Sequence, residues 1–118
     1  MSIDPSVLGP YRDVMGAEAD SFVADLIDSY LANSGELVAA LDSSMPANDT
    51  ITFTRSAHTL KSNSAIFGAH VLADLCQELE LAGKNGELAR LQARVDELKV
   101  EHSQVCRELA DLRRTLPV

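Results

Sequence analysis

The sequence has 118 residues, a net charge of −8 and hydrophobic residues at 46% of its positions. That length suits one domain with a single core, so residues 1–118 are expected to fold together. Aromatic residues make up only 4% of the chain, and it has little of the alternation that strands need, so an all-α fold is expected. An excess of 18 acidic over 10 basic side chains argues against binding to nucleic acid or to an anionic membrane surface.

The sequence also indicates the cellular compartment in which the protein is expected. No apolar run is long enough to span a bilayer, and the N-terminal residues MSIDPSV lack the pattern of a signal peptide. The two cysteines, Cys76 and Cys106, have neither CxxC nor zinc-site spacing. Two buried thiols in a reduced, cytoplasmic protein are therefore expected.

The N-terminal residues 1–16 are interrupted by Pro and Gly at four positions: Pro5, Gly9, Pro10 and Gly16. Pro10 prevents one long helix here, whereas Asp4 followed by Pro5 can cap a short one. One or two short helical turns are predicted before the main fold begins.

Apolar residues then recur at steps of three and four in four segments: 17–45, 50–67, 70–84 and 88–116. Pro46, Gly68 and the loop 83–86 separate them, Asn48 and Asp49 can cap the second, and Gly35 could kink the first. Four long helices with short connections predict an antiparallel up-down four-helix bundle over residues 17–118, with a long last helix.

The last segment has an unbroken heptad seam from Leu88 to Leu116, enough for about 45 Å of helix. The bundle is expected to bury its first half. Its second half could extend beyond the bundle, fold over the N-terminal turns or pair with another chain. A helical interaction or dimerisation module is therefore the alternative function. His102 lies on this seam, where it could set the register or be exposed.

The segment around His58 separates into two faces when it is placed on a helix. One face points into the bundle: Ala57, Leu60, Ser64 and Phe67. A neighbouring stripe combines an imidazole and a cation with small side chains: Thr54, His58, Lys61, Ser62 and Ala65. An exposed imidazole can act as a nucleophile near neutral pH, and Lys61 could partly offset the charge of a phosphoryl group. Phosphoryl transfer needs mainly positioning and charge neutralisation, so such a sparse site is sufficient.

The eleven residues His58-Thr-Leu-Lys61-Ser-Asn-Ser-Ala-Ile-Phe-Gly68 resemble the signature of histidine phosphotransfer (HPt) domains, His-x-Leu-Lys-Gly-Ser/Ala followed by an apolar residue and Gly. The run from Leu72 to Glu80 is similar to the family's next helix, and the resemblance covers about residues 17–100. It implies that His58 is the phosphoacceptor, that Lys61 supports the phosphohistidine and that Gly68 ends the motif helix. Ser62 stands where the family most often has Gly.

The resemblance also implies partners and supporting residues. In some relatives a Glu or Gln at the position of Glu80 hydrogen-bonds the imidazole, so Glu80 and Gln77 are candidates for orienting His58. Otherwise they form an ordinary polar flank. Thr54, Ser62 and Ala65 would lie where a partner docks.

Receiver domains of response regulators and a hybrid sensor histidine kinase are the expected partners, and the receiver would supply the aspartate and Mg²⁺. The sequence has no P-loop spacing and no paired Glu-x-x-His motifs. A monomeric phosphoryl carrier is therefore expected, not an enzyme, with no ATP site, cofactor or metal of its own.

Overall fold

The computed structural model describes residues 1–118, and all of its regular elements are helical. The α-helices are α1 (Gly9–Met15), α2 (Ala19–Ser44), α3 (Thr50–Ala65), α4 (His70–Lys84) and α5 (Gln92–Thr115). Short 3₁₀ turns precede α1, α2 and α5, at Pro5–Leu8, Gly16–Glu18 and Leu88–Arg90. Helix α2 packs against α3 and α5, and α4 packs against the same two, so the order around the bundle follows the chain. The predicted all-α four-helix bundle is confirmed.

Local signals place most of the helix ends. The Asp49 carboxylate accepts a hydrogen bond from the Thr52 N–H at 3.1 Å, so Asp49 is the N-cap of α3. Helix α2 ends at Ser44, two residues before Pro46, and it runs through Gly35 without a break. Helix α3 ends at Ala65, slightly earlier than predicted, and α4 has the predicted bounds.

The predicted inward face of α3 is confirmed. Its apolar members are buried, and the hydroxyl of the buried Ser64 forms a hydrogen bond of 2.9 Å with the Tyr30 hydroxyl. This pair keeps two polar groups satisfied inside the core. No helix in the structure combines the length and the hydropathy needed to cross a bilayer.

The last segment is not one continuous helix, as its heptad seam had suggested. Residues Leu88–Arg90 form a 3₁₀ turn, and α5 begins only at Gln92. The tighter turn places Leu88 and Leu91, three residues apart, on one side, and both are buried. The 24 residues of α5 give a helix of about 36 Å.

The second half of α5 covers the N-terminal turns, which was one of the three possibilities left open. The Glu108 carboxylate accepts hydrogen bonds from the backbone N–H groups of Ser2 and Ile3 at 2.8 to 3.0 Å. Asp4 caps the first 3₁₀ turn, and its N–H donates to the carbonyl oxygen of Phe67 at 2.9 Å. The N-terminal segment therefore connects α5 to the end of α3.

Gly68 is essential to this connection for two reasons. Its φ of 66° is in the left-handed region, and a Cβ added there would lie 2.7 Å from Cβ of Asp4 and 3.1 Å from its carbonyl oxygen. Both the turn after α3 and the close approach of the N-terminal segment require glycine at this position.

We predict that Gly68→Ala lowers the free energy of unfolding by about 2–3 kcal/mol, because backbone strain adds to the contact with Asp4. Urea unfolding measures the change. Gly35→Ala is the matched control, since Gly35 lies mid-helix with nothing within 4 Å of an added Cβ. The control should raise stability by about 0.5–1 kcal/mol. Equal effects of the two substitutions would contradict this role for Gly68.

Candidate functional site around His58

His58 lies in the middle of α3, on the side that faces away from the core. Its neighbours Ala57 and Leu60 are fully buried, whereas the His58 side chain is 58% exposed. The helical periodicity that buries one face of α3 therefore presents the imidazole to solvent. The neighbouring surface is formed by α4, which packs more extensively against α3 than any other helix.

The carboxylate of Glu80 on α4 is the centre of the site. It is only 6% exposed, and its Oε2 lies 3.0 Å from Nδ1 of His58. Its other oxygen, Oε1, accepts a hydrogen bond of 2.7 Å from Nζ of Lys61. A second ammonium group, that of Lys84, lies 3.4 Å from Oε2. One largely buried carboxylate thus contacts an imidazole and two cations.

These contacts determine the charge of Glu80 and the tautomer of His58. The hydrogen bond from Lys61 has the largest effect on the pKa of Glu80, and burial partly opposes it. Contacts with His58 and Lys84 lower the pKa further, to about 2. An ionised carboxylate can only accept hydrogen bonds, so Nδ1 of His58 must carry the hydrogen. Nε2 has no hydrogen-bond partner in the chain, and the side chain as a whole is more than half exposed.

Gln77 does not contact the imidazole. Its Oε1 instead accepts a hydrogen bond of 2.7 Å from Nζ of Lys61. Lys61 therefore donates to two acceptors at once, and its side chain is only 26% exposed. Of the two candidates for orienting His58, the structure brings Glu80 to the ring and Gln77 to Lys61.

The three residues predicted to lie where a partner docks differ in exposure. Ser62 and Ala65 are exposed, whereas Thr54 is half-buried. The Ser62 hydroxyl donates to the carbonyl oxygen of His58 at 3.2 Å, so it folds back onto its own helix. Ser62 therefore adds little bulk beside the imidazole.

Lys84 was not predicted to be part of the site, and Gly83 was expected in the turn 83–86. Both residues belong to α4. A Cβ at Gly83 would lie 2.6 Å from Oγ1 of Thr54 and 2.9 Å from Cδ1 of Phe53, so glycine lets α4 approach α3 closely. The spacing of four residues between Glu80 and Lys84 was the available signal, because such pairs lie on one helix face.

The remaining histidines lie outside this cluster. His70 is the first residue of α4, as predicted. His102 contacts α2, where its Nε2 lies 2.8 Å from the Ser34 hydroxyl, and burial lowers the pKa of His102. The Cys106 thiol is 3.3 Å from the same nitrogen, and both cysteines are free thiols. No three His, Cys, Asp or Glu side chains are grouped so as to hold a metal ion.

Comparisons with known proteins agree with this fold and motif. A family model for the Hpt domain matches residues 25–115. The chain is 28% identical over 93 residues to the phosphorelay intermediate protein rdeA of Dictyostelium discoideum. The aligned region covers 79% of this chain and 37% of that protein. The chain thus spans little more than a third of that relative's length.

A solved structure agrees over nearly the whole chain. The crystal structure of histidine-containing phosphotransfer protein B (HptB) from Pseudomonas aeruginosa PAO1 superimposes with a TM-score of 0.82 at 29% identity. The match covers 97% of this chain and 96% of that one. The chain therefore belongs to the histidine phosphotransfer (Hpt) domain family, as the motif had suggested, and these matches support a histidine phosphotransfer role in a phosphorelay.

We predict that the stabilising effect of the Glu80 carboxylate depends on pH. Its pKa of about 2 in the folded protein is below the ordinary value of 4.5. The stabilisation is therefore fully present above about pH 4.5 and is lost as pH falls through about 2. At pH 7, Glu80→Gln should lower the free energy of unfolding by about 1–2 kcal/mol. The difference from wild type should shrink in acid, as urea unfolding at several pH values would measure.

Glu78→Gln is the matched control, because Glu78 is an exposed carboxylate on the same helix that pairs with Arg94. It should change the free energy of unfolding by less than about 0.5 kcal/mol at any pH. A Glu80→Gln effect that is absent at pH 7, or that stays constant down to pH 2, would contradict the ionised network.

Proposed function

We propose that this chain carries a phosphoryl group on Nε2 of His58 between aspartates of receiver domains in a phosphorelay. The observation that carries the proposal is the state of the imidazole ring. Nδ1 is hydrogen-bonded to the buried Glu80 carboxylate, whereas Nε2 of this mostly exposed side chain has no partner. In its neutral form, a ring held in this way offers its lone pair at Nε2 to another protein.

The transfer step follows from this arrangement. The lone pair of Nε2 attacks phosphorus of the partner's aspartyl phosphate, the N–P bond forms, and the broken P–O bond leaves its electron pair on the aspartate carboxylate. The hydrogen stays on Nδ1, so the phosphorylated ring is positively charged. The Glu80 carboxylate lies 3.0 Å away and stabilises that charge. The reverse reaction uses the same contacts, so transfer in both directions is expected.

Lys61 supports the phosphohistidine in this proposal chiefly through Glu80. Its ammonium group is held by Gln77 and Glu80 at 2.7 Å each. That arrangement fixes the carboxylate in the position that orients the ring, and it adds a positive charge one helical turn from His58. Gln77 in turn positions Lys61.

The partner is expected to supply what this site lacks. A receiver domain would bring the acceptor aspartate and Mg²⁺, and a hybrid sensor histidine kinase would be the source of the phosphoryl group. Ser62 and Ala65 are exposed beside His58, so loops of a receiver have space to approach, and Thr54 would form the edge of this docking surface. The carrier itself would need neither ATP nor a cofactor, and cytoplasmic receivers would place it in the cytoplasm.

The heptad seam gives little support to the alternative of a dimerisation module. Its central apolar members are fully buried inside this bundle: Val95, Leu98, Val105 and Leu109. A seam that is used within one chain has no apolar stripe left for a second. We therefore expect a monomer that functions as a carrier.

We predict that a phosphorylated receiver domain transfers ³²P to the wild-type chain and that a His58→Gln variant accepts none. The labelled product should be acid-labile and base-stable, as expected for a phosphohistidine. Gel autoradiography after brief incubation measures the transfer.

His70→Gln is the matched control, because His70 is an exposed histidine on the neighbouring helix and has no part in the Glu80 network. It should take up label at the wild-type rate. Label that persists in a folded His58→Gln variant, or that is absent from the wild type with every receiver, would overturn the proposed function.

A further inference from the structure

A groove of about 450 Å³ lies beside His58, between the first half of α3 and the end of α4. Its lining combines His58 and Glu80 with two further cations, Arg55 and Lys84. Thr50 and Thr54 add hydroxyl groups, and Ile51 is its one hydrophobic residue. The groove is open to solvent, carries two cationic side chains and lies next to the reactive ring, so it can accommodate an anion attached to His58.

The two lysines that contact Glu80 differ in how firmly they are held. Lys61 donates to two acceptors at 2.7 Å each and is 26% exposed. Lys84 has one contact, at 3.4 Å, and is 59% exposed. Moving Lys61 would break two short charge-assisted hydrogen bonds, whereas Lys84 can leave Glu80 at little cost. Of these two cations, Lys84 is the one available to a new anion.

The charges around His58 favour the binding of such an anion. One carboxylate, Glu80, contacts two ammonium groups, so this cluster has one surplus positive charge in a chain whose net charge is −8. Arg55 adds a further charge on the groove wall. Asp49 is near it: hydrogen bonds from Thr52 chiefly lower the pKa of that carboxyl, and the charge of Arg55 lowers it further. Lys84 has no acidic neighbour other than Glu80 within 4 Å.

The backbone fixes the position of Lys84. Gly83 permits α4 to approach Thr54 so closely that any side chain at position 83 would collide with it. This approach brings the next residue, Lys84, to the wall of the groove. Glu80 and Lys84 are one helical turn apart, so the ammonium group lies over the same carboxylate oxygen that binds Nδ1 of His58.

From these observations we propose that Lys84 binds the phosphoryl group of phospho-His58 in this groove, exchanging its contact with Glu80 for phosphoryl oxygens, while Lys61 stays with Glu80 and Gln77. This inference rests on the proposed function. The two lysines then have different roles: Lys61 positions the ring through Glu80, and Lys84 contacts the transferred group. No further bond forms or breaks in this exchange, because only ion pairs are rearranged.

The exchange has a consequence for the direction of transfer. A cation that contacts the phosphoryl group stabilises the phosphorylated carrier relative to the phosphorylated receiver. Removal of Lys84 should therefore shift the transfer equilibrium toward the receiver aspartate and shorten the lifetime of phospho-His58. The unphosphorylated protein loses only one exposed ion pair, so its stability should barely change.

The test compares wild type with Lys84→Gln, with Lys84→Arg, and with Lys99→Gln as a matched control. Lys99 is a partly exposed lysine on α5 that pairs with Asp42. Each protein is labelled by a ³²P-phosphorylated receiver, purified, and followed for its rate of phosphate loss and its transfer equilibrium. Lys84→Gln should change both quantities by about threefold to fivefold, the effect of one exposed ion pair. Lys84→Arg and Lys99→Gln should stay close to wild type.

The outcomes separate this inference from the proposed function. If the wild type takes up label but Lys84→Gln matches it in lifetime and equilibrium, Lys84 does not contact the phosphoryl group and the inference is wrong. If Lys84→Gln and Lys99→Gln change the lifetime equally, the effect is general and the inference also fails. Absence of label from the wild type would instead refute the proposed function, and the inference with it.

Discussion

The hydrogen bond between the Glu80 carboxylate and Nδ1 of His58 is the interaction on which the rest of the site depends. The carboxylate is nearly buried, and it remains ionised because Lys61 and Lys84 contact it. An ionised acceptor requires hydrogen on Nδ1, which leaves Nε2 as the available nucleophile. Each neighbour of Glu80 therefore acts on the ring through this one group, and the proposed chemistry needs no other side chain to activate His58.

The bundle serves this contact by fixing the distance between α3 and α4. Gly83 allows the two helices to approach closely at one end, and Gly68 allows the tight turn that joins them at the other. Between these glycines, the buried hydroxyl pair of Tyr30 and Ser64 links α3 to α2 without leaving a polar group unsatisfied. A rigid frame matters for phosphoryl transfer, because misplacement of the nucleophile by about 1 Å can cost about a hundredfold in rate.

Much of this could be predicted from the sequence, because it depends on local pattern. Helical periodicity placed His58 outward and Leu60 inward, and Gly68 was recognised as the end of the motif helix. Contacts between helices were harder to predict. Periodicity gives the face on which Gln77 lies but not that it reaches Lys61, and nothing local revealed that Gly83 brings Lys84 beside the site. The heptad pattern concealed the 3₁₀ turn before α5 for the same reason, since i, i+3 spacing fits both helix types.

The tautomer of His58 tests the role of its contact with Glu80 most directly. Long-range ¹H–¹⁵N spectra of the ¹⁵N-labelled protein at mildly alkaline pH distinguish a protonated ring nitrogen from an unprotonated one. We predict that Nδ1 of His58 is protonated and Nε2 is not, and that this preference weakens when Glu80 is replaced by alanine. A ring that carries its hydrogen mainly on Nε2, or a preference unaffected by the loss of Glu80, would contradict the central role of this contact.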